Sequence, residues 1–432
     1  MSTVLLACAP LRGHVDPVLA VARGLVDDGH RVVVTTGSRF AARVDAAGCE
    51  FAPLRGRADY DERDLDAYLP DRHRYRGLAL SQYQLQHTFI HPLPDQWATL
   101  EALLTTLRPD LVMTDHLFAG ATPLLATPRP ERVPVVGLGI GPLAQLSIDT
   151  APPGMALQPS WTPLGRVRNR LLNAMATKVA FRDTQRLARR LFERATGRPL
   201  PRDFPFILDL TSRFDRLLQL GPGEFEYPLT DLSPGVRFVG RPTHALPSIP
   251  VPGWWDQLSD GKPIVHVTQG TLANADTSTL LRPALDALAD LDIHVVLSTG
   301  GTPVADLGRL PANARAAEYL PYDLLLPRTA AVVSNGGYGT VLAALAQGVP
   351  LVVAPGAEDK PEVAARVRFF GVGIDLRTER PSPADLRRAV VAVLGEPRYR
   401  TAASIVAVAM ATSRPHDAVR DEVDRLLALE HP

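Results

Sequence analysis

Thr3-Val4-Leu5-Leu6-Ala7-Cys8-Ala9, closed by Pro10, is a short apolar run, and Arg31-Val32-Val33-Val34-Thr35-Thr36-Gly37 is a second. Both have the length and continuity of strands buried on two faces. Between them Asp16-Pro17 reads as an N-cap and first helical residue, and Gly29 as a stop. Val18, Leu19, Ala22, Leu25 and Val26 recur at helical spacing in that interval. Strand, helix and strand in this order fold as a right-handed βαβ unit, which makes the sheet parallel.

The rhythm continues in apolar runs at 111–115, 133–137 and 216–220. From 221 to 253 seven prolines and five glycines interrupt it, which reads as a linker holding one short strand at 236–240. It then restarts, with strands expected at 264–268, 294–298, 331–334 and 351–354, and helices stopped by glycines such as Gly348 and Gly371. The predicted fold class is α/β, with two doubly wound Rossmann-like domains facing a central cleft. The first domain is expected over 1–222 and the second over 223–412, of which 223–253 is linker-rich. A final helix over 413–432 is expected to pack back on the first domain. Sheets of this kind bind ligands outside the carboxyl ends of their strands, so the cleft between the domains is the expected site.

Composition narrows the function classes. The chain has 432 residues, 46 basic and 46 acidic side chains, and a formal net charge of zero. A nucleic-acid binder would carry a strongly basic face, so no nucleic-acid partner is expected. No apolar run reaches the roughly 18 residues a membrane span needs. Met1-Ser2-Thr3 followed by apolar residues lacks a charged leader and a cleavage site, so no signal peptide is expected. Two cysteines, Cys8 and Cys49, make no disulfide framework. These bounds predict a cytoplasmic protein that handles small molecules. Residues 166–198 carry ten basic side chains against Asp183 and Glu193, and read as a solvated helix face ahead of a membrane contact.

Three places carry chemistry. His14 lies in Gly13-His14-Val15-Asp16-Pro17, between the first strand and the first helix. An imidazole there suits a general base, or else only bonds the backbone at the helix start. Asp115 closes the 111–115 strand at the same sheet edge, either to orient His14 or to cap the following loop. Ser334-Asn335-Gly336-Gly337-Tyr338-Gly339-Thr340 is a Gly-rich turn between a strand and a helix. Such a turn lets backbone N–H groups and the helix dipole receive a phosphate, although it matches neither a P-loop nor a dinucleotide fingerprint. His87 and His91 are four apart but have no third ligand at metal spacing, so no metal site is expected.

With Glu318-Tyr319-Leu320-Pro321-Tyr322, Gly348-Val349-Pro350 and the stretch from Glu358 to Arg366, these motifs run through both halves in order. In them the chain resembles the nucleotide-sugar-dependent glycosyltransferases of the GT-B fold. The matching branch is the bacterial, UDP-glycosyltransferase-like one that decorates macrolides, flavonoids and other natural products. The resemblance implies an inverting, metal-independent transfer of a hexose from a UDP- or TDP-sugar to a hydroxyl of a hydrophobic acceptor. It implies an acceptor-binding first domain, a donor-binding second domain, no cofactor beyond the co-substrate, and a monomer or homodimer. In that frame His14 is the base and Asp115 its partner. Tyr319 stacks on the nucleotide base and backbone groups at Leu320 pair with its edge. Gly270 and Thr271 touch the diphosphate, Asn335 to Thr340 (Gly336, Gly337, Tyr338 and Gly339 between them) cradle it, and Asp359 and Lys360 reach the sugar.

This chain departs from the family at three positions. Asn335 stands where histidine is common, so leaving-group stabilisation rests more on backbone and dipole. Ala343 stands where plant members place a ribose-binding glutamate. Lys360 replaces glutamine, and either contacts the sugar or pairs with Glu358 or Asp359. Three rival readings remain: a nucleotide-sugar epimerase, an idle homologue that activates another transferase, and a flavin or nicotinamide oxidoreductase, which would also show Rossmann-like halves but whose dinucleotide fingerprint is absent.

Overall fold

The computed structural model describes residues 1–243, 249–270 and 276–430. Seven parallel strands form the first sheet: β1 Thr3–Ala7, β2 Arg31–Thr36, β3 Glu50–Pro53, β4 Leu111–Asp115, β5 Val135–Gly139, β6 Arg216–Gln219 and β7 Val236–Phe238. Their spatial order is β3-β2-β1-β4-β5-β6-β7. Alternation along β1 divides the first core in two. Val4, Leu6 and Cys8 pack with Val18, Ala22 and Leu25 on one face, whereas Leu5, Ala7 and Ala9 join Phe89, Leu100 and Phe118 on the other.

The second sheet holds six parallel strands: β8 Ile264–Thr268, β9 His294–Ser298, β10 Ala314–Ala317, β11 Thr329–Ser334, β12 Leu351–Val353 and β13 Gly373–Asp375, in the order β10-β9-β8-β11-β12-β13. Each sheet reverses its winding once, between β1 and β4 in the first and between β8 and β11 in the second. At such a switch point the connections leave in opposite directions and open a crevice, which is where ligands bind.

Two expectations are corrected. The first helix runs Arg12–Asp27, so it begins four residues before Asp16 and carries Pro17 in its interior. The Arg12 N–H is capped at 2.7 Å by the Glu62 carboxylate, a partner from a distant loop that no local window reveals. Pro17 forgoes only the bond to the Gly13 carbonyl, and His14 and Val15 donate to the Leu11 carbonyl at 2.8 and 2.9 Å. Second, β7 pairs with β6, so the first sheet continues past residue 222 to Phe238. The stretch placed in a linker was Pro- and Gly-rich on both sides of a real edge strand.

The helix Pro415–Glu430 returns to the first domain. Val419, Val423, Leu426 and Leu427 enter the same core as Val18 and Leu25, and Glu422 pairs with Arg216 at 3.1 Å. A second tie between the domains is buried. Arg366, in the helix Lys360–Phe369, donates to Glu226 of the β6–β7 connection at 2.8 and 2.5 Å, its guanidinium 4.3 Å over the Tyr227 ring. Removing one partner of such a pair costs about 3–5 kcal/mol, because the other charge stays buried.

Candidate active site

His14 occupies the first turn of the helix that follows β1, and Asp115 ends β4, so the two stand on either side of the first switch point. His14 Nδ1 lies 3.3 Å from Asp115 Oδ2, a close ion-pair contact whose angle falls short of a hydrogen bond. Asp115 also receives the Ala9 N–H at 2.8 Å on Oδ2 and the Leu117 N–H at 2.8 Å on Oδ1. Asp115 thus caps its loop while its carboxylate faces the imidazole. Its burial pushes the carboxyl pKa up, but the His14 imidazole, the Ala9 N–H and His116 together bring it below the ordinary carboxylate range. An anion on Nδ1 leaves Nε2 as the nitrogen free to accept a proton.

Across the cleft, the turn after β11 opens the helix Tyr338–Leu345, whose N-terminus has no side-chain cap. Its first N–H groups therefore lack intrahelical partners, and the dipole adds positive potential there. Gly336 makes the turn possible. Its φ is +87°, and a Cβ there would stand 2.9 Å from Val353 Cγ1 and 3.3 Å from the Lys360 carbonyl oxygen. Asn335 ties this turn to the loop after β8 by donating Nδ2 to the Gln269 carbonyl at 2.6 Å. That use fixes the amide's orientation and leaves its second N–H for a ligand. Gly270 follows Gln269 at φ +73°. Thr271 lies outside the described residues.

A polar network supports this half-site from beneath. His266 of β8 is fully buried, bonding the Val296 carbonyl through Nδ1 at 2.9 Å and Tyr322 Oη through Nε2 at 3.0 Å. Tyr322 in turn interacts with Ser298, Thr268 and Thr340, while burial raises its phenol pKa. Burial also holds the His266 imidazole down at about 4.

The comparisons with known proteins bear on this two-sheet site. The Glycosyltransferase family 28 N-terminal domain matches residues 6–136, and the Erythromycin biosynthesis protein CIII-like C-terminal domain matches residues 282–426. The 4'-demethylrebeccamycin synthase of Lentzea aerocolonigenes is 40% identical over 99% of both chains. The chain belongs to the natural-product glycosyltransferases. UDP-glucosyltransferase B1 of Starmerella bombicola is 34% identical, over 93% of this chain and 94% of its own. The solved structure of the calicheamicin glycosyltransferase CalG4 superposes at a TM-score of 0.74 with 24% identity, over the whole of both chains. The two-domain architecture is accordingly GT-B.

Within this glycosyltransferase the expected donor residues divide. Tyr319 is exposed beyond the end of β10, its hydroxyl donating to the Gly300 carbonyl at 3.3 Å, with its ring available. Leu320 is buried with Leu258, Ile264, Val296 and Leu325, so only its backbone can meet a base. The Tyr338 side chain faces away from the turn. Its ring packs in the core with Phe225, and its hydroxyl abuts Gly221, where any side chain would collide with it. As the first residue of its helix it points back to the domain junction and offers a ligand only backbone.

Asp359 and Lys360 reach the cleft from the start of the helix Lys360–Phe369. Glu358 before them adopts φ +66°, a left-handed conformation uncommon outside glycine, which turns the chain into the cleft. Asp359 is solvent-accessible, yet crowded by both domains: a Cβ at Gly141 would lie 3.6 Å from its Oδ2. That crowding raises its carboxyl pKa, opposed by Lys360 and more weakly by His14. Lys360 is paired with Glu358; burial pulls its ammonium down, and Glu358 and Asp359 more than offset this.

Sequence reasoning missed Glu62 and Phe89. Glu62 caps the helix that bears His14 and is clamped by Arg39 at 2.5 Å. Phe89 places its ring 5.4 Å from the His14 ring. Both lie in the aperiodic stretch 55–97, whose only signal was its richness in Tyr, His, Arg and Gln. Among the described residues no group of three or more His, Cys, Asp or Glu side chains is arranged to hold a metal, and no helix is long and apolar enough to cross a membrane.

Proposed function

We propose that this glycosyltransferase moves a hexose from a UDP- or TDP-sugar to a hydroxyl of an apolar natural-product acceptor, with inversion and without a metal ion. The observation that carries the reading is the pairing of His14 with Asp115 at one switch point, opposite an uncapped helix N-terminus at the other. His14 Nε2 takes the acceptor proton as the oxygen attacks C1 of the sugar. The bond from C1 to the phosphate oxygen breaks, and its electron pair leaves with the diphosphate. Backbone N–H groups at Gly337 and Gly339, the helix dipole and the Asn335 amide receive that charge, a preorganised arrangement of the kind that stabilises transition states. Asp359 and Lys360 contact sugar hydroxyls, and Tyr319 stacks on the base.

Relatives named as UDP-glucosyltransferases support a UDP-hexose donor, and a relative named as a rebeccamycin-type synthase supports a natural-product acceptor. Phe89 beside His14 supports an apolar acceptor wall. The test is incubation with UDP- and TDP-hexoses and a natural-product library, with and without EDTA, read by mass spectrometry. Hexose adducts that persist in EDTA are expected. Adducts that vanish with EDTA and return with added metal contradict the metal-free reading, and the absence of any adduct across the panel contradicts the substrate assignment.

A further inference from the structure

The helix Lys360–Phe369 begins with the expected donor-sugar residues, but most of its polar side chains grip the other domain. Glu362 Oε1 accepts the N–H of Gly154 at 2.9 Å and of Ala156 at 2.8 Å. Gln158 donates Nε2 to the Ala365 carbonyl at 3.0 Å, and Arg368 donates to the Ala156 carbonyl at 3.3 Å. All three partners belong to the long connection after β5, on the acceptor side of the cleft. Ala156 adopts φ +52° and Gly154 φ +97°, so this loop is bent into left-handed conformations that aim two N–H groups at one carboxylate oxygen. A non-glycine residue holds such a conformation only where its surroundings impose it.

The same end of the helix is tied to the donor turn. Gly336 packs so closely on the Lys360 backbone that a Cβ would reach within 3.3 Å of its carbonyl oxygen. The first turn of one rigid helix therefore joins the diphosphate turn at Lys360 to the acceptor loop at Glu362, with Ala365 and Arg368 holding the same loop further along.

We propose that Glu362 is a positioning residue that couples donor occupancy to the order of the acceptor loop around residues 150–160. Donor binding fixes the Gly336 turn and the start of the helix, and Glu362 passes that fixation to Gly154 and Ala156. The proposal rests on the donor-site reading above and adds to it the partner loop and the residue that links them. Such coupling is an energy shared between two sites through an element both bias. Glu362 takes no part in the chemistry; its Oε2 lies 3.4 Å from Arg366, whose shorter bonds to Glu226 keep the domains docked when Glu362 is changed.

Hydrogen–deuterium exchange on the full chain tests this, with UDP-glucose and TDP-glucose as probes and free UDP and TDP as controls. In the wild type, the nucleotide sugar that binds should slow exchange at least several-fold both in 334–340 and in 150–160. In Glu362→Leu it should still protect 334–340 but no longer 150–160, and Glu362→Gln, which keeps an accepting oxygen, should restore much of the second effect. Protection of 150–160 that is absent in the wild type while 334–340 is protected, or that persists in Glu362→Leu, overturns the coupling alone. If no probe protects 334–340, the donor-site reading falls and the coupling with it.

Discussion

His14 is held by two contacts that differ in kind: an anion at 3.3 Å from Nδ1 and a ring 5.4 Å away on Phe89. In the proposed transfer the first stabilises the imidazolium that forms, and the second lays an apolar ring beside it. His14→Ala should lower kcat about 10²–10⁴-fold, the usual worth of a positioned general base. Nucleotide affinity, measured by calorimetry, should stay near wild type because the donor turn belongs to the other sheet. Near-wild-type turnover on an unactivated hydroxyl would remove His14 from the base role. On the donor side, Lys360 is paired with Glu358 and keeps further N–H donors for sugar hydroxyls, whereas Asn335 bridges the turns after β8 and β11. Lys360→Gln should therefore change the ratio of kcat/KM between two hexoses on one nucleotide. Asn335→Ala should slow both alike, since the diphosphate is common to them. An unchanged ratio in Lys360→Gln would assign the lysine to its salt bridge alone.

At the scale of the element, β8 shows how an ionisable group is buried safely. His266 sits neutral between a carbonyl and the Tyr322 hydroxyl, with burial holding its pKa at about 4 against an ordinary 6.5. The unfolded chain takes up a proton near 6.5 that the folded one refuses until about 4. Stability should thus be flat above that window and fall as pH drops through it, by ~3 kcal/mol from this group when the fall is complete. His91, also held at about 4 by burial and by His87 and Arg57, adds a smaller effect of the same sign. Thermal midpoints of wild type and His266→Gln between pH 7.5 and 5 check this: the variant should lose much of the slope, and an identical slope would count against it. The same elements show what the sequence made legible. β1, β2, β4, β8 and β11 are continuous apolar runs because both their faces are buried, and their order already located His14, Asp115 and the Gly-rich turn at strand ends. β3, β10 and β13 are edge or near-edge strands of three or four residues with polar positions, and carry no such run. The Glu62 cap joins residues fifty positions apart, and Tyr338 turns on one helical face, so neither leaves a local signature.

For the whole molecule, two crevices of the same topological origin face each other, and three devices keep them registered. The helix Pro415–Glu430 returns the chain to its first core, Arg366 and Glu226 form a buried pair across the junction, and Glu362 holds the loop at Gly154 and Ala156. In the proposed reading, one base in the first domain faces one phosphate cradle in the second, and the acceptor displaces the diphosphate in a single step. A single displacement inverts the anomeric carbon. The direct test is the anomeric configuration, by NMR, of the glycoside made from α-configured UDP-glucose or TDP-glucose. The account predicts a β-glycoside; an α-glycoside would contradict it.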